Sequence, residues 1–516
     1  MRGAVAAGHP LTAEAATQAL SAGGNAFDAA MSALCAACVV EPVLTSLGGG
    51  GFLLAQPGGS KAVLYDFFVQ TPLRKRPADE LDFQPIVADF GTATQEFHIG
   101  LGSMATPGTV RGLFSVQREL GRLPMAEIVA PAVQYARDGV RLNALQAYVF
   151  SIVAPIFLST PGARAIYGSP SDPESLVKDG ELLRLPEMAD TLETLAIEGD
   201  RLFYEGEIGQ SLGAASVASG GHLDMEDLRR YQVVRRRPLD IRYRDTRVLT
   251  NPPPSSGGLL IGFALELLRD HDLKSRTFGS PAHLSLLAEV MELTNTARAE
   301  QATHELDRDH PLLTDAGLIA RYRRTLDKQL RGHPVSNRGT THISVIDEQG
   351  NAASLTLSNG EGCGHVIPGT AIMMNNMLGE EDLNPAGFQR WRADVRVSSM
   401  MSPSLISSDK RLVAVGSGGS NRIRTAIIQT LSNLVDFGMN PEDATTRPRI
   451  HTERGRVSIE PGFPDASVER LRSQFADHHL WDSPNLFFGG AHTVQFDGKG
   501  FDGAGDPRRG GVFLRA

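Results

Sequence analysis

An abrupt change of texture at residue 340 sets the first limit on how this chain can fold. Gln329 to Gly339 is polar, rich in breakers and ends in Asn-Arg-Gly, which predicts a flexible linker. Immediately beyond it the residues alternate. Ile343 and Val345 stand against Ser344, Asp347 to Asn351 reads as a turn, and Ala353, Leu355 and Leu357 resume the period of two. That pattern predicts a β-hairpin starting directly after Thr340. A Gly-Thr-Thr string before a strand is a common strand start. It also places a hydroxyl at a fixed point beside a loose segment. Threonine is a weak nucleophile unless a base stands next to it, and a free α-amino group on the same residue supplies one. Cleavage between Gly339 and Thr340 would create that group, and the local residues leave both readings open.

The rest of the chain supplies layers for such a hairpin. From Leu11 to Val40 the apolar positions recur with helical spacing, and Gly23, Gly24 and Asn25 break the run into two helices. Phe52 to Ala55 and Ala62 to Phe67 read as strands around a Gly-rich turn. Residues 110 to 330 are mostly helical by pattern, with apolar faces at Ile128, Ala132, Val133 and Ala136, and at Leu259, Phe263 and Leu267. Pro252 to Pro254, followed by Ser255, Ser256, Gly257 and Gly258, reads as an irregular loop. Ser420 or Asn421 is placed to cap a helix with Ile423, Ala426, Ile427, Leu431 and Leu434 inward. With 516 residues the expectation is one large composite domain or two joined ones, in a layered α+β or α/β arrangement.

Composition removes several classes of function. Fifty Lys and Arg against 59 Asp and Glu give a net charge of -9, which offers no general attraction to nucleic acid or anionic membrane. Arg235, Arg236 and Arg237 are read as a solvated segment. The apolar run Ala29 to Val40 is too short for the roughly 20 residues of a membrane span and reads as a buried helix. No secretory signal is apparent, and the three cysteines make no disulfide framework, so a reducing cytoplasm is expected. Cys35 and Cys38 read as packing residues.

The motif candidates divide sharply. Ser46 to Phe52 is Gly-rich but lacks the Gly-Lys-Ser/Thr of a phosphate loop and leads into a strand. The histidines show no metal-ligand spacing, and Asp477-His478-His479 reads as an exposed helix end. Gly416 to Ser420 fits an oxyanion loop as readily as a nucleophile elbow.

Resemblance changes the weight of the Gly339-Thr340 junction. TTHISVIDEQGNAASLTLSNGEG resembles the start of the small subunit of γ-glutamyltranspeptidases. AAGHPLTAEAATQALSAGGNAFDAA, SLGGGGF, ATPGTVRGL, APAVQYARDGV, NPPPSSGG, NNML, GSGGSNRIRTAIIQTL and GAGDPRRGG resemble that family's landmarks in the same order, from about Gly3 to Gly511. The resemblance implies the four-layer αββα sandwich of N-terminal-nucleophile hydrolases. It implies cleavage after Gly339 into a large chain, 1–339, and a small chain, 340–516, which together make one composite domain. Thr340 would be the nucleophile, Gly418 and Gly419 would hold the oxyanion, and Ser358 would bond the nucleophile's amino group. Neither metal nor organic cofactor is implied. The partners implied are a small amide or acyl substrate and the sister chain of the same precursor, with a dimer of processed heterodimers as a candidate assembly.

The resemblance fails where the family grips a glutamyl head. Asp66-Phe67-Phe68-Val69 puts Phe68 where the family has the Arg that holds the α-carboxylate. In Asn375-Asn376-Met377-Leu378-Gly379-Glu380, Met377 replaces a Gln and Glu380 stands at best for an Asp. The family's paired serines become Ser399 and Met400, and a family Asn falls on Gly360. A buried ionic headgroup without its partners costs several kcal/mol. The acyl group is therefore expected to differ from unmodified γ-glutamyl, with Phe68, Asn376, Met377, Glu380, Ser399 and Met400 as candidate binding residues. The first alternative is a true γ-glutamyltransferase or glutathione hydrolase that uses another Arg. The second is a specialised-metabolism member that hydrolyses a C–C bond to a keto or oxalyl group.

Overall fold

The computed structural model describes residues 1–516 except 90–93, 173, 302–309, 327–338, 385 and 454, so of the expected linker only Gly339 lies among the described residues. The hairpin expected after Thr340 is present and central. A seven-stranded sheet contains β1 (Gly3–Ala7), β2 (Gly50–Gln56), β3 (Val63–Phe67), β4 (Val234–Arg236), β7 (Thr341–Asp347), β8 (Ala352–Ser358) and β13 (Val512–Arg515), in the order β13-β1-β7-β8-β2-β3-β4. A six-stranded sheet contains β5 (Leu239–Tyr243), β6 (Thr246–Thr250), β9 (Ser404–Ser408), β10 (Arg411–Gly418), β11 (Gly490–Phe496) and β12 (Phe501–Ala504), in the order β12-β11-β10-β9-β6-β5. All pairings in both sheets are antiparallel.

Alternation decides which layer each strand face meets. Val5, Ala7, Leu53, Ala55, Ile343, Val345, Leu355 and Leu357 share one core with α1 (Pro10–Ser21) and α2 (Ala26–Val40). Ala4, Ala6, Phe52, Leu54 and Ile346 point the other way. They share a second core with Leu405, Val413 and Val415 of the six-stranded sheet and with α3 (Ser256–Leu268), α4 (Pro281–Glu300) and α5 (Arg422–Val435). Helices outside, sheets inside: the layers run α, β, β, α, as the resemblance implied.

Local chemistry explains the element ends. Asn25 and Asp28 form a reciprocal capping box at the start of α2, and Gly23 takes φ +100° in the break before it. All fifteen residues of α2 are buried, including Cys35 and Cys38, and no helix among the described residues is long and apolar enough to cross a membrane.

Several expectations need correction. Ser256, Gly257 and Gly258 belong to α3, at whose start the Ser255 hydroxyl and the backbone N–H groups of Ser256 and Gly257 all donate to the carbonyl of Ser399. The nominally helical 110–330 region holds β4, β5 and β6, of which only β5 alternates strictly between buried and exposed residues, over too few positions to stand out among longer helical runs. Asp477-His478-His479 lies in a strand paired in parallel with Arg456–Ile459, so it is no helix end. Arg235 and Arg237 are exposed, but Arg236 is half-buried and bonds Asp66 at 2.7 Å. Asn421 occupies the cap position of α5 without making a side-chain cap bond. The polar face of the β7–β8 hairpin meets the second sheet and not water. His342 bonds Thr356 at 2.8 Å and Ser344 at 3.0 Å, and Ser354 donates to the Val415 carbonyl.

Candidate active site

Thr340 stands just ahead of β7 and is held from its C-terminal side. Thr341 pairs with Leu357, and its hydroxyl donates to Oε2 of Glu41 at 2.9 Å. Thr12 donates to the other oxygen of the same carboxyl at 2.8 Å. Arg509 Nη1 donates to the Thr340 carbonyl at 3.2 Å. On the N-terminal side Gly339 N–H donates to Glu361 at 2.6 Å. The Gly339 carbonyl oxygen accepts from Thr340 Oγ1 at 2.7 Å and from Ser358 Oγ at 2.9 Å. Ser358 can reach it because β8 ends there, paired with Gly50. Two hydroxyls on one carbonyl oxygen polarise that carbonyl, and one of them belongs to the residue whose nitrogen the carbonyl acylates.

Gly418 lies against Thr340, and Gly419 follows it. β10 carries Gly418 so close that a Cβ there would overlap the Thr340 carbonyl. Gly419 follows with φ +118°, a conformation that L side chains rarely adopt. Both positions therefore demand glycine for reasons visible in the geometry.

Thr340 and Gly339 open onto a cleft of about 460 Å³. Of the predicted binding residues, Phe68, Glu380, Ser399 and Met400 line it, whereas Asn376 and Met377 do not. Asn376 accepts from Glu361 N–H at 2.9 Å, behind the wall, and Met377 is packed into the second core. Phe68 is 1% exposed and packs on Phe52 with ring centroids 5.3 Å apart. Arg396 donates to its carbonyl, but that guanidinium is also committed to Asp66 at 3.3 Å, facing Arg236 on the other carboxylate oxygen.

The cleft also holds residues that sequence reasoning missed. Arg298 enters from α4 and donates to Asn421 at 3.0 Å. Asp382 accepts from Ser420 at 3.2 Å. Arg298 sits in an ordinary helical pattern with no motif of its own. Arg509 lies within GAGDPRRGG, a string matched as a landmark without any role attached, and Asp382 lies two residues beyond the compared segment Asn375–Glu380. Glu361 lies within the first matched string, again without a role attached, and Glu41 gave no signal, since its contact with Thr341 spans 300 residues.

Electrostatics separate the groups around Thr340. Burial pushes the Glu41 carboxyl up, and the Thr12 and Thr341 hydroxyls and Arg509 pull it only part of the way back. Burial and neighbouring His492 hold His342 well below its usual value, and burial drives His492 down to about 4. Both rings are neutral at physiological pH and serve as hydrogen-bonding parts of the sheet interface.

The layered fold, with a threonine at the start of a central strand, defines an N-terminal-nucleophile hydrolase architecture. Residues 12–515 match the Gamma-glutamyltranspeptidase family profile. The acylase ACY 1 proenzyme of Pseudomonas sp. strain SE83 is 31% identical across 97% of this chain and 90% of its own length. The glutathione hydrolase proenzyme of Escherichia coli K12 is 29% identical across 98% and 90%. Cephalosporin acylase from Bacillus halodurans superposes with a TM-score of 0.87 at 24% identity, covering 99% of this chain and 95% of that one. The chain belongs to the gamma-glutamyltranspeptidase family, and it is a hydrolase or acyltransferase of the N-terminal-nucleophile type.

Proposed function

We propose that the chain cleaves itself between Gly339 and Thr340, and that Thr340 then transfers an acyl group other than unmodified γ-glutamyl to water or an amine. The observation that carries the reading is the pair of hydroxyls, Thr340 and Ser358, on the Gly339 carbonyl oxygen. In processing, Thr340 Oγ adds to the Gly339 carbonyl carbon, the C–N bond breaks to leave an ester and a free α-amino group, and water hydrolyses the ester. In turnover, the same Oγ attacks the substrate carbonyl while the α-amino group takes its proton and returns it to the leaving amine. The Gly418–Gly419 turn is the candidate oxyanion site. The proenzyme names of the two curated relatives agree with a processed precursor.

The acyl specificity rests on Phe68 in the cleft wall where the family has its carboxylate-binding Arg. Losing an Arg–carboxylate pair costs about 3 kcal/mol, about a hundredfold in efficiency. The acylase relatives agree with a different acyl group. Arg298 favours a second reading, in which a carboxylate-bearing acyl group, γ-glutamyl included, is gripped from α4. One experiment separates them. Purified enzyme, shown by mass to contain a small chain beginning Thr-Thr-His, is assayed on glutathione, γ-glutamyl anilide and a set of other acyl anilides. The first reading expects the γ-glutamyl compounds to lie at least about a hundredfold below the best acyl anilide. Glutathione hydrolysis with kcat/KM above about 10⁴ M⁻¹s⁻¹ would overturn it in favour of the second.

A further inference from the structure

Arg509 fills the space directly behind the nucleophile, and its placement is built rather than incidental. The turn that carries it, Pro507–Arg509, is clamped by buried ion pairs on both sides: Arg449 to Asp506 at 2.7 Å, and Arg508 to Asp506 at 3.1 Å and to Glu460 at 2.5 Å. Asp506 also accepts from Ala491 N–H at 2.9 Å, tying the turn to β11. From there the Arg509 stem crosses Gly490, where a Cβ would overlap it, and the guanidinium reaches the Thr340 carbonyl. Cβ atoms built on Gly418 and Gly419 would each stand 3.4 Å from its terminal nitrogens. One half-buried cation thus touches the Thr340 carbonyl and underlies the candidate oxyanion turn.

We propose that Arg509 is a positioning residue whose charge keeps the α-amino group of processed Thr340 unprotonated, and therefore basic. The proposal rests on the cleavage reading given above. The amino nitrogen and carbonyl oxygen of one residue lie within about 4 Å of each other, so the guanidinium stands within about 7 Å of the new amine. A like charge at that range in a buried site disfavours the ammonium form by about one to two pH units.

The other charged and titratable groups facing this point pull both ways. Glu41, at the end of α2, lies behind Thr341, and burial pushes it toward the neutral acid. Glu361, after β8, bonds Gly339. Glu380 and Asp382 line the cleft and favour the ammonium form, whereas Arg298 in the same lining opposes it. His342 and His492, neutral between the sheets, contribute no charge. Asp506 is shared by Arg449 and Arg508 and also faces Arg509, as do Glu361 and Glu41, so these acids offset part of the Arg509 charge.

The test compares processed wild type with Arg509→Gln and Arg509→Lys. The Thr340 amine is labelled by reductive [¹³C]methylation and titrated by NMR, and the acid limb of kcat/KM is recorded on the acyl anilide that wild type cleaves best. Arg509→Gln should raise the amine pKa and move the acid limb up by about one unit or more, with KM little changed, while Arg509→Lys leaves both in place. An unchanged amine titration in a processed Arg509→Gln enzyme overturns the proposal. If Arg509→Gln stays uncleaved while Arg509→Lys is processed and titrates like wild type, the need for charge stands. If both stay uncleaved and melt early, Arg509 is only structural and the proposal fails. A wild-type small chain that does not begin Thr-Thr-His removes the cleavage reading, and this proposal with it.

Discussion

Replacing Gly418 with alanine would drive a methyl group into the carbonyl of Thr340, a backbone group that cannot rotate aside as a side chain could. Because the clash falls on the proposed nucleophile and the proposed oxyanion turn together, Gly418→Ala is expected to lower kcat by about 10² to 10³ or more. Global melting should change far less, and equal losses in activity and stability would count against the assignment. Phe68 offers the opposite lesson. Its ring is packed on Phe52 inside the second core, so Phe68→Arg places a charge among apolar neighbours without restoring any amino-side contact. Glutathione turnover by Phe68→Arg should not rise above that of wild type, and a tenfold gain would show that this position alone sets the acyl preference.

At the scale of elements, the site depends on where strands stop. β8 ends at Ser358 and β10 at Gly418, and both ends converge on the residue before β7. The turn at Pro507–Arg509 is fixed by the Arg449, Asp506, Arg508 and Glu460 cluster, whose side chains are no more than 2% exposed. Burial alone would push the Asp506 carboxyl up, but Arg449 and Arg508 outweigh it and hold it below the usual carboxylate range. Asp506→Asn leaves two buried guanidinium groups short of a counter-charge. Destabilisation of about 3 to 5 kcal/mol is expected by denaturant titration. An unshifted midpoint would mean that water or another acid compensates.

At the scale of the molecule, both sheets interleave strands from either side of residue 340. β13, β7 and β8 lie among β1, β2, β3 and β4, and β9 to β12 pair onward to β6 and β5. If the chain is cut after Gly339, neither piece keeps a complete sheet or core. The 339- and 177-residue pieces should therefore separate on denaturing electrophoresis yet migrate as one species on native gels and unfold in a single transition. Dissociation under native conditions would contradict the shared architecture.

The sequence by itself determined the hairpin after Thr340, the two N-terminal helices with their break, the layered class, and, through an ordered set of landmarks, the family. These are local facts: a period of two or of 3.6, a capping residue and a glycine where no side chain fits are all written within a few residues. Only the tertiary structure decided which surfaces meet. Ser344 and His342 look solvent-facing by alternation, yet a second sheet covers them and they are satisfied by each other. Of the short strands between Val234 and Thr250, β4 and β6 gain their identity from partners more than 150 residues away, Val63–Phe67 and Ser404–Ser408. Arg509 bonds Thr340, Glu41 bonds the next residue and Arg298 lines the cleft, from three distant segments, while Asn376 and Met377, within the matched string, do not line the cleft. Periodicity reports how the backbone is shaped and which face is apolar. The company a side chain keeps is set by packing between elements far apart in the chain, where no local pattern records it.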